Sequence, residues 1–205
     1  MAELPMFPLG TVLYPHMVLP LHVFEPRYRA LVHDVLAGDH EFGVTLITRG
    51  HEVGGGDQRA DIGSVARVLS AEELDDGRFV LLSVGIRRLR VVEWLSDDPY
   101  PRARIEGFSD PDGSTAALPD GTENRLRRVL AMHAELGREG VPATFDLEDD
   151  PAVASWQIAV IAPFTPYDAQ RVLEAPTSQD RVQLVDELLR ELEQTLALEL
   201  RADEP

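Results

Sequence analysis

The sequence predicts an α+β chain, with a β-rich first part followed by a helical second part. Three observations carry that prediction. Residues 1 to about 108 hold short runs rich in Val, Ile and Phe, split by Gly, Pro and Asp clusters. Residues 109–121 are loop by composition. Beyond them, apolar residues recur at helical spacing. This places a first domain over 1–112, a linker over 113–121 and a helical bundle over 122–205.

In the first domain, strands are expected at 12–14, 18–23, 42–48, 62–69, 79–84 and 89–94. Asp76-Gly77 is a hairpin-turn signal before Phe79. The 79–84 run is apolar enough to predict burial on both faces. One helix interrupts the strands. Pro26 suits its first turn, Tyr28, Leu31, Val32, Val35 and Leu36 follow its period, and Gly38 ends it. Many short strands with turn signals predict a small barrel or sandwich.

In the second domain, Leu126, Val129, Leu130, His133 and Leu136 form a stripe over 122–138. Asp149 or Asp150 caps a helix with Pro151 at its first position, running to about Ala162. Thr165 and Asp168 have capping-box spacing for a helix ending near Glu174. Thr177 and Asp180 repeat the device before a last helix carrying Val182, Val185, Leu189, Leu192 and Leu196. Leu184, Leu188 and Leu200 widen that stripe to bundle width.

Composition narrows the chemistry. Of 205 residues, 36 are acidic and 19 basic, a net charge of -17, and every basic residue is Arg. Without Lys these residues hold no P-loop lysine, no Schiff-base lysine and no Ser–Lys dyad. Without Cys they hold no thiol nucleophile, thiolate metal site or disulfide. So acidic a chain lacks the bulk charge for nucleic acid or anionic membranes. No targeting segment or membrane span is expected, and the zero Cys count fits a cytoplasmic location.

The remaining motifs are weak. The six His residues show no H-E-x-x-H arrangement, so no metal or other cofactor is expected; His133 reads as a hydrogen-bonded core residue. The Gly54-Gly55-Gly56 run lacks the spacing of a phosphate-binding loop and reads as a hairpin loop. Asp75-Asp76, Asp97-Asp98 and Asp149-Asp150 adjoin turns or a cap. No nucleophile elbow occurs, and no catalytic residue is assigned. The most distinctive segment is 19–29, where Pro20 and Pro26 bracket an apolar run entering the helix at Glu25.

A resemblance rests on Phe7-Pro8-Leu9-Gly10, Tyr14-Pro15, and the run from Leu19-Pro20-Leu21-His22-Val23-Phe24-Glu25-Pro26-Arg27 to Tyr28. It continues through Phe42-Gly43-Val44, the run from Asp61-Ile62-Gly63-Ser64 to Val68, Asp76-Gly77-Arg78, the run from Gly85-Ile86-Arg87-Arg88 to Val91, and Tyr100-Pro101-Arg102-Ala103-Arg104. In their order and spacing these resemble the N-terminal, substrate-binding domain of the ATP-dependent Lon protease family, in its stand-alone bacterial form. The resemblance implies a PUA-like β-barrel with one helix, followed by a helical bundle. It implies recognition of polypeptide, unfolded or as a protein partner, by a non-catalytic module lacking the ATPase and protease modules. The candidate binding residues are Phe24, Tyr28, Arg87 and Trp156, expected at the seam between barrel and helices; Arg and large aromatics commonly anchor interfaces. The alternative is an RNA- or small-molecule-binding regulator, supported by the Arg87–Arg90 and Arg102–Arg104 clusters.

Overall fold

The computed structural model describes residues 2–50, 58–111, 115–142 and 144–203. The Gly54–Gly56 run and His51 lie outside the described residues. The chain divides into two compact units, Met1–Ser109 and Asp110–Pro205. Among the described residues the fold is mixed α/β, with one six-stranded sheet and five helices.

The first unit contains β1 (Ala2–Leu9), β2 (Val18–Val23), α1 (Pro26–Ala37), β3 (Glu41–Arg49), β4 (Gln58–Glu73), β5 (Phe79–Trp94) and β6 (Arg102–Gly107). The strand order is β2-β5-β4-β3-β1-β6, and β5 also pairs with β6. The pairings therefore run from β5 through β4, β3, β1 and β6 back to β5, with β2 attached outside this circuit. β1 makes this possible by changing partner. Its first half pairs antiparallel with β6, and its second half pairs parallel with β3.

Among the described residues of this unit, two apolar clusters stand out. One gathers Met6, Val65, Leu89, Val91, Ala103 and Ile105. Gly43 leaves room for Met6: a Cβ there would stand 2.4 Å from the Met6 sulfur. The other cluster receives the apolar stripe of α1, Tyr28, Leu31, Val32 and Val35, against Phe7, Phe42, Phe79 and Leu81. Each such side chain contributes about 1.5–3 kcal/mol on burial. Pro26 opens α1 as expected, and Tyr100 Oη donates to Asp34 on its outer side at 2.5 Å.

Several expectations need correction. Residues 12–14 are not a strand; Val12, Leu13 and Tyr14 are a buried coil, held where Ser64 Oγ donates to the Leu13 carbonyl at 2.5 Å. The runs 79–84 and 89–94 are two halves of one strand, β5, and β4 is longer than 62–69. The 79–84 run is not buried on both faces. Phe79, Leu81 and Ser83 are buried, while Val80 and Val84 are half-buried and Leu82 is exposed. β1 and β6 are additional strands that the reading of the sequence did not place.

The second unit contains α2 (Thr122–Glu135), α3 (Pro151–Ile161), α4 (Pro166–Glu174) and α5 (Ser178–Asp203). Its helix starts follow the expected caps. Asp150 accepts from the Ala152 amide at 2.9 Å. Thr165 Oγ1 accepts from the Asp168 amide at 3.2 Å, and Thr177 Oγ1 accepts from the Asp180 amide at 3.0 Å. Val182, Val185, Leu188, Leu189 and Leu196 of α5 are buried with Leu126, Val129 and Leu130 of α2 and Ile158 of α3. His133 is half-buried at the end of its helix rather than in the core.

Candidate functional site

The site begins where β2 meets α1. Val23 is buried as the last residue of β2, and Pro26 starts α1 three residues later. The turn between them leaves Phe24 57% exposed. Beside it lies a cleft of about 100 Å³ lined by Phe7, Leu9, Leu21, His22, Val23, Phe24, Glu25 and Tyr28. Tyr28 forms its wall by stacking on Phe7, with ring centroids 4.1 Å apart. Arg27 covers the Tyr28 ring at 4.5 Å and pairs with Glu25 at 3.0 Å. A second indentation, on the other side of Phe24, is lined by His22, Val23, Leu74, Arg78 and Phe79. Both hollows are small against the roughly 300–1,000 Å³ of clefts that hold drug-sized ligands.

The cleft adjoins a sheet face. Residues directly opposite on antiparallel strands share a face. The register pairs Val18 with Val84, Pro20 with Leu82 and His22 with Val80. Across β5, Leu82 meets Ser70 and Val80 meets Glu72. An irregularity between Val68 and Ser70 adds Leu69 as an extra residue, and it is exposed. The outer face of β2, β5 and β4 therefore displays Val18, Pro20, Leu69 and Leu82, all exposed, with Val80 and Val84 half-exposed beside them. Singly exposed apolar residues are ordinary; a contiguous set is not.

The four sequence-predicted residues fall in three settings. Phe24 and Tyr28 line one cleft. Arg87 lies on β5, where its guanidinium donates to Glu41 at 2.7 Å while Arg67 donates to the other carboxylate oxygen at 2.6 Å. The Arg87 hydrogen bond, against the opposing cost of burial and with help from Arg67, holds the Glu41 carboxyl below the ordinary carboxylate value. Trp156 belongs to the second unit. It is buried under Arg181, whose guanidinium carbon stands 3.8 Å from the ring centroid.

Arg87, Arg90, Arg102 and Arg104 of the Arg clusters are each paired with a carboxylate. Arg90 pairs with Glu106 at 3.5 Å, Arg102 with Glu3, and Arg104 with Glu93. Arg88 is buried over the Phe108 ring at 4.3 Å. Among the described residues, no three His, Asp or Glu side chains converge as a metal site would require. No helix among them is long and apolar enough to cross a membrane.

The geometry thus presents exposed apolar surface beside two small hollows. The profile of the ATP-dependent protease La (LON) substrate-binding domain matches residues 3–191, and the chain belongs to that family. The Lon protease of Trichlorobacter lovleyi is 28% identical over 204 residues, covering 96% of this chain and 25% of its own length. Lon protease 2 of Myxococcus xanthus is 30% identical over 207 residues, covering 98% of this chain and 25% of its own. The chain thus spans about a quarter of the length of these relatives. Its fold is similar to the crystal structure of a Lon N-terminal domain protein from Xanthomonas campestris. The TM-score is 0.66 at 27% identity, covering 89% of this chain and 96% of that one.

Reading the sequence singled out Phe24 but missed Val18, Pro20, Leu69 and Leu82. Their signal lies in the pairing of β2, β5 and β4, which sequence spacing does not specify.

Proposed function

We propose that this chain is a non-catalytic recognition module that engages extended or unfolded polypeptide through the outer face of β2, β5 and β4 and the adjoining cleft at Phe24. The exposed apolar set in register, Val18, Pro20, Leu82 and Leu69, carries the reading. An extended chain presents alternate side chains to such a face, and a large one can enter a hollow beside Phe24. Membership of a substrate-binding family supports the same role. We further read the first unit as a PUA-like barrel, supported by the strand pairings that return to β5. The absence of Lys supports a non-catalytic role, since neither a P-loop lysine nor a Ser–Lys dyad can lie within these residues.

Burying each exposed aliphatic residue contributes about 1–2 kcal/mol before association costs are met, so single segments are expected to bind weakly. An RNA-binding reading is disfavoured by the carboxylate partners of Arg87, Arg90, Arg102 and Arg104. The cleft volume disfavours a drug-sized ligand. Fluorescence anisotropy with labelled peptides tests the proposal. Saturable binding of apolar-rich peptides, and none of polar peptides of equal length, is expected. Absence of saturable binding across a varied peptide set overturns it.

A further inference from the structure

The outer face of β2, β5 and β4 is electrically uneven along its length. At one end Arg67 lies opposite Val84, which lies opposite Val18. Ser70, Leu82 and Pro20 cross the middle, and Glu72, Val80 and His22 cross the other end. The chain continues from Glu72 through Glu73 into the turn carrying Asp75 and Asp76, beside the indentation formed by Leu74, Arg78 and Phe24. Asp76 is already held by Arg78 at 2.7 Å, and Glu25 by Arg27. Glu72, Glu73 and Asp75 are exposed and, among the described residues, make no ion pair. Among the described residues, one cation faces this end without a paired acid: the Arg29 guanidinium lies against Gly77, 2.3 Å from where a Cβ would stand. Glu72 and Asp75 against one guanidinium leave this end negative, Glu73 sharing the opposite face with Phe79. At the opposite end Glu41 is bridged by two guanidinium groups, from Arg67 and Arg87.

We propose that the segment this face selects is an apolar stretch flanked by Lys or Arg, its cations meeting Glu72 and Asp75 while its apolar residues cover Leu82, Pro20 and Leu69. This rests on the polypeptide-binding reading above and adds the class of polypeptide. The complementarity acts in two ways. It steers encounter toward one end of the face, and it rejects acidic segments by like-charge repulsion. Pairs made here remain exposed, so their contribution is modest and falls with salt.

The test is anisotropy of the full chain with three labelled peptides sharing one apolar core, flanked by Lys, Ser or Asp. The Lys-flanked peptide is expected to bind about fivefold tighter than the Ser-flanked one at low ionic strength, with the preference falling below about twofold near 0.5 M salt. The E72Q/D75N variant is expected to lose most of that preference while its affinity for the Ser-flanked peptide stays unchanged. A charge-matched variant, D39N/D61N, removes two exposed acids elsewhere, Asp61 lying toward the opposite end of β4, and is expected to keep the preference. Equal binding of Lys- and Ser-flanked peptides overturns the inference and leaves the polypeptide reading standing. So does an equal loss in both variants, which traces the preference to the net charge of -17 alone. Failure of all three peptides to bind overturns both.

Discussion

Arg181→Met probes the one fully buried guanidinium identified in the second unit. Arg181 is 1% exposed, donates to both oxygens of Asp110 at 3.2 and 3.1 Å, donates from Nε to Ser155 Oγ at 2.8 Å, and stacks on Trp156. Met conserves the stem packing and a sulfur contact to the ring. Ser155 keeps its bond to the Ala152 carbonyl at 2.7 Å, so it is not stranded. The loss therefore falls on Asp110 and the cation–π contact. Breaking a buried ion pair from one side costs roughly 3–5 kcal/mol. Asp110 retains 27% of its side-chain surface and regains some water, which places the cost at the lower end, about 3 kcal/mol. With a urea slope of about 1.5–2 kcal/mol per molar for a unit of this size, the midpoint drops by about 1.5–2 M. The chain has two Trp, Trp94 in the first unit and Trp156 in the second, so a Trp94→Phe background makes fluorescence report the second unit. Combining Arg181→Met with Asp110→Ala should cost less than the sum of the two changes. A midpoint shift under about 0.5 M for Arg181→Met, or strict additivity, refutes this account of the buried pair.

Three further substitutions test particular contacts. Glu41→Gln removes the negative charge shared by Arg87 and Arg67, with one of the two oxygens they bond, and should cost about 1 kcal/mol at neutral pH. Because the folded-state value is depressed, that contribution is present above 4.5 and disappears as pH falls through the lower folded value; the melting difference between variant and parent should close on acidification, and a pH-independent difference contradicts it. Burial, and then the Asp34 hydrogen bond, push the Tyr100 hydroxyl up to about 12. The neutral phenol is favoured in the fold, so its contribution is complete below 10 and is lost between 10 and about 12; denaturant titrations across that window should show the loss in the parent but not in Tyr100→Phe. Gly63→Ala places a Cβ 2.1 Å from the Val44 carbonyl oxygen and should cost about 1–3 kcal/mol by forcing β3 and β4 apart, whereas an unchanged melting temperature contradicts the register.

The helices of the second unit were legible because their starts are encoded locally. Thr165 with Asp168, and Thr177 with Asp180, satisfy the first-turn amides within four residues, so no long-range information is needed. β1 was not legible because Pro5 and Pro8 read as interruptions. They are tolerated because each half of β1 pairs on one side only, which leaves ladder positions where a missing N–H costs little. β6 carried a usable signal that its Arg residues obscured. Ala103 and Ile105 are buried while Arg102, Arg104 and Glu106 are exposed, a period-two pattern that reads at first as a basic cluster. Phe24 and Tyr28 were legible from the prolines around them. The face made by Val18, Pro20, Leu69 and Leu82 depends on strand register and on the irregularity at Leu69, both set by non-local pairing.

Whether polypeptide is held on the β2–β5–β4 face decides the proposed function. Titrating a permanently unfolded, labelled protein with the parent chain and with Leu82→Glu decides this most directly, since Leu82 points outward and a carboxylate there costs the fold little. Saturable binding by the parent, at least a tenfold loss in the variant and a melting temperature shared by the two are expected, about 1.4 kcal/mol of binding free energy residing at that position. Equal affinity of parent and variant contradicts it.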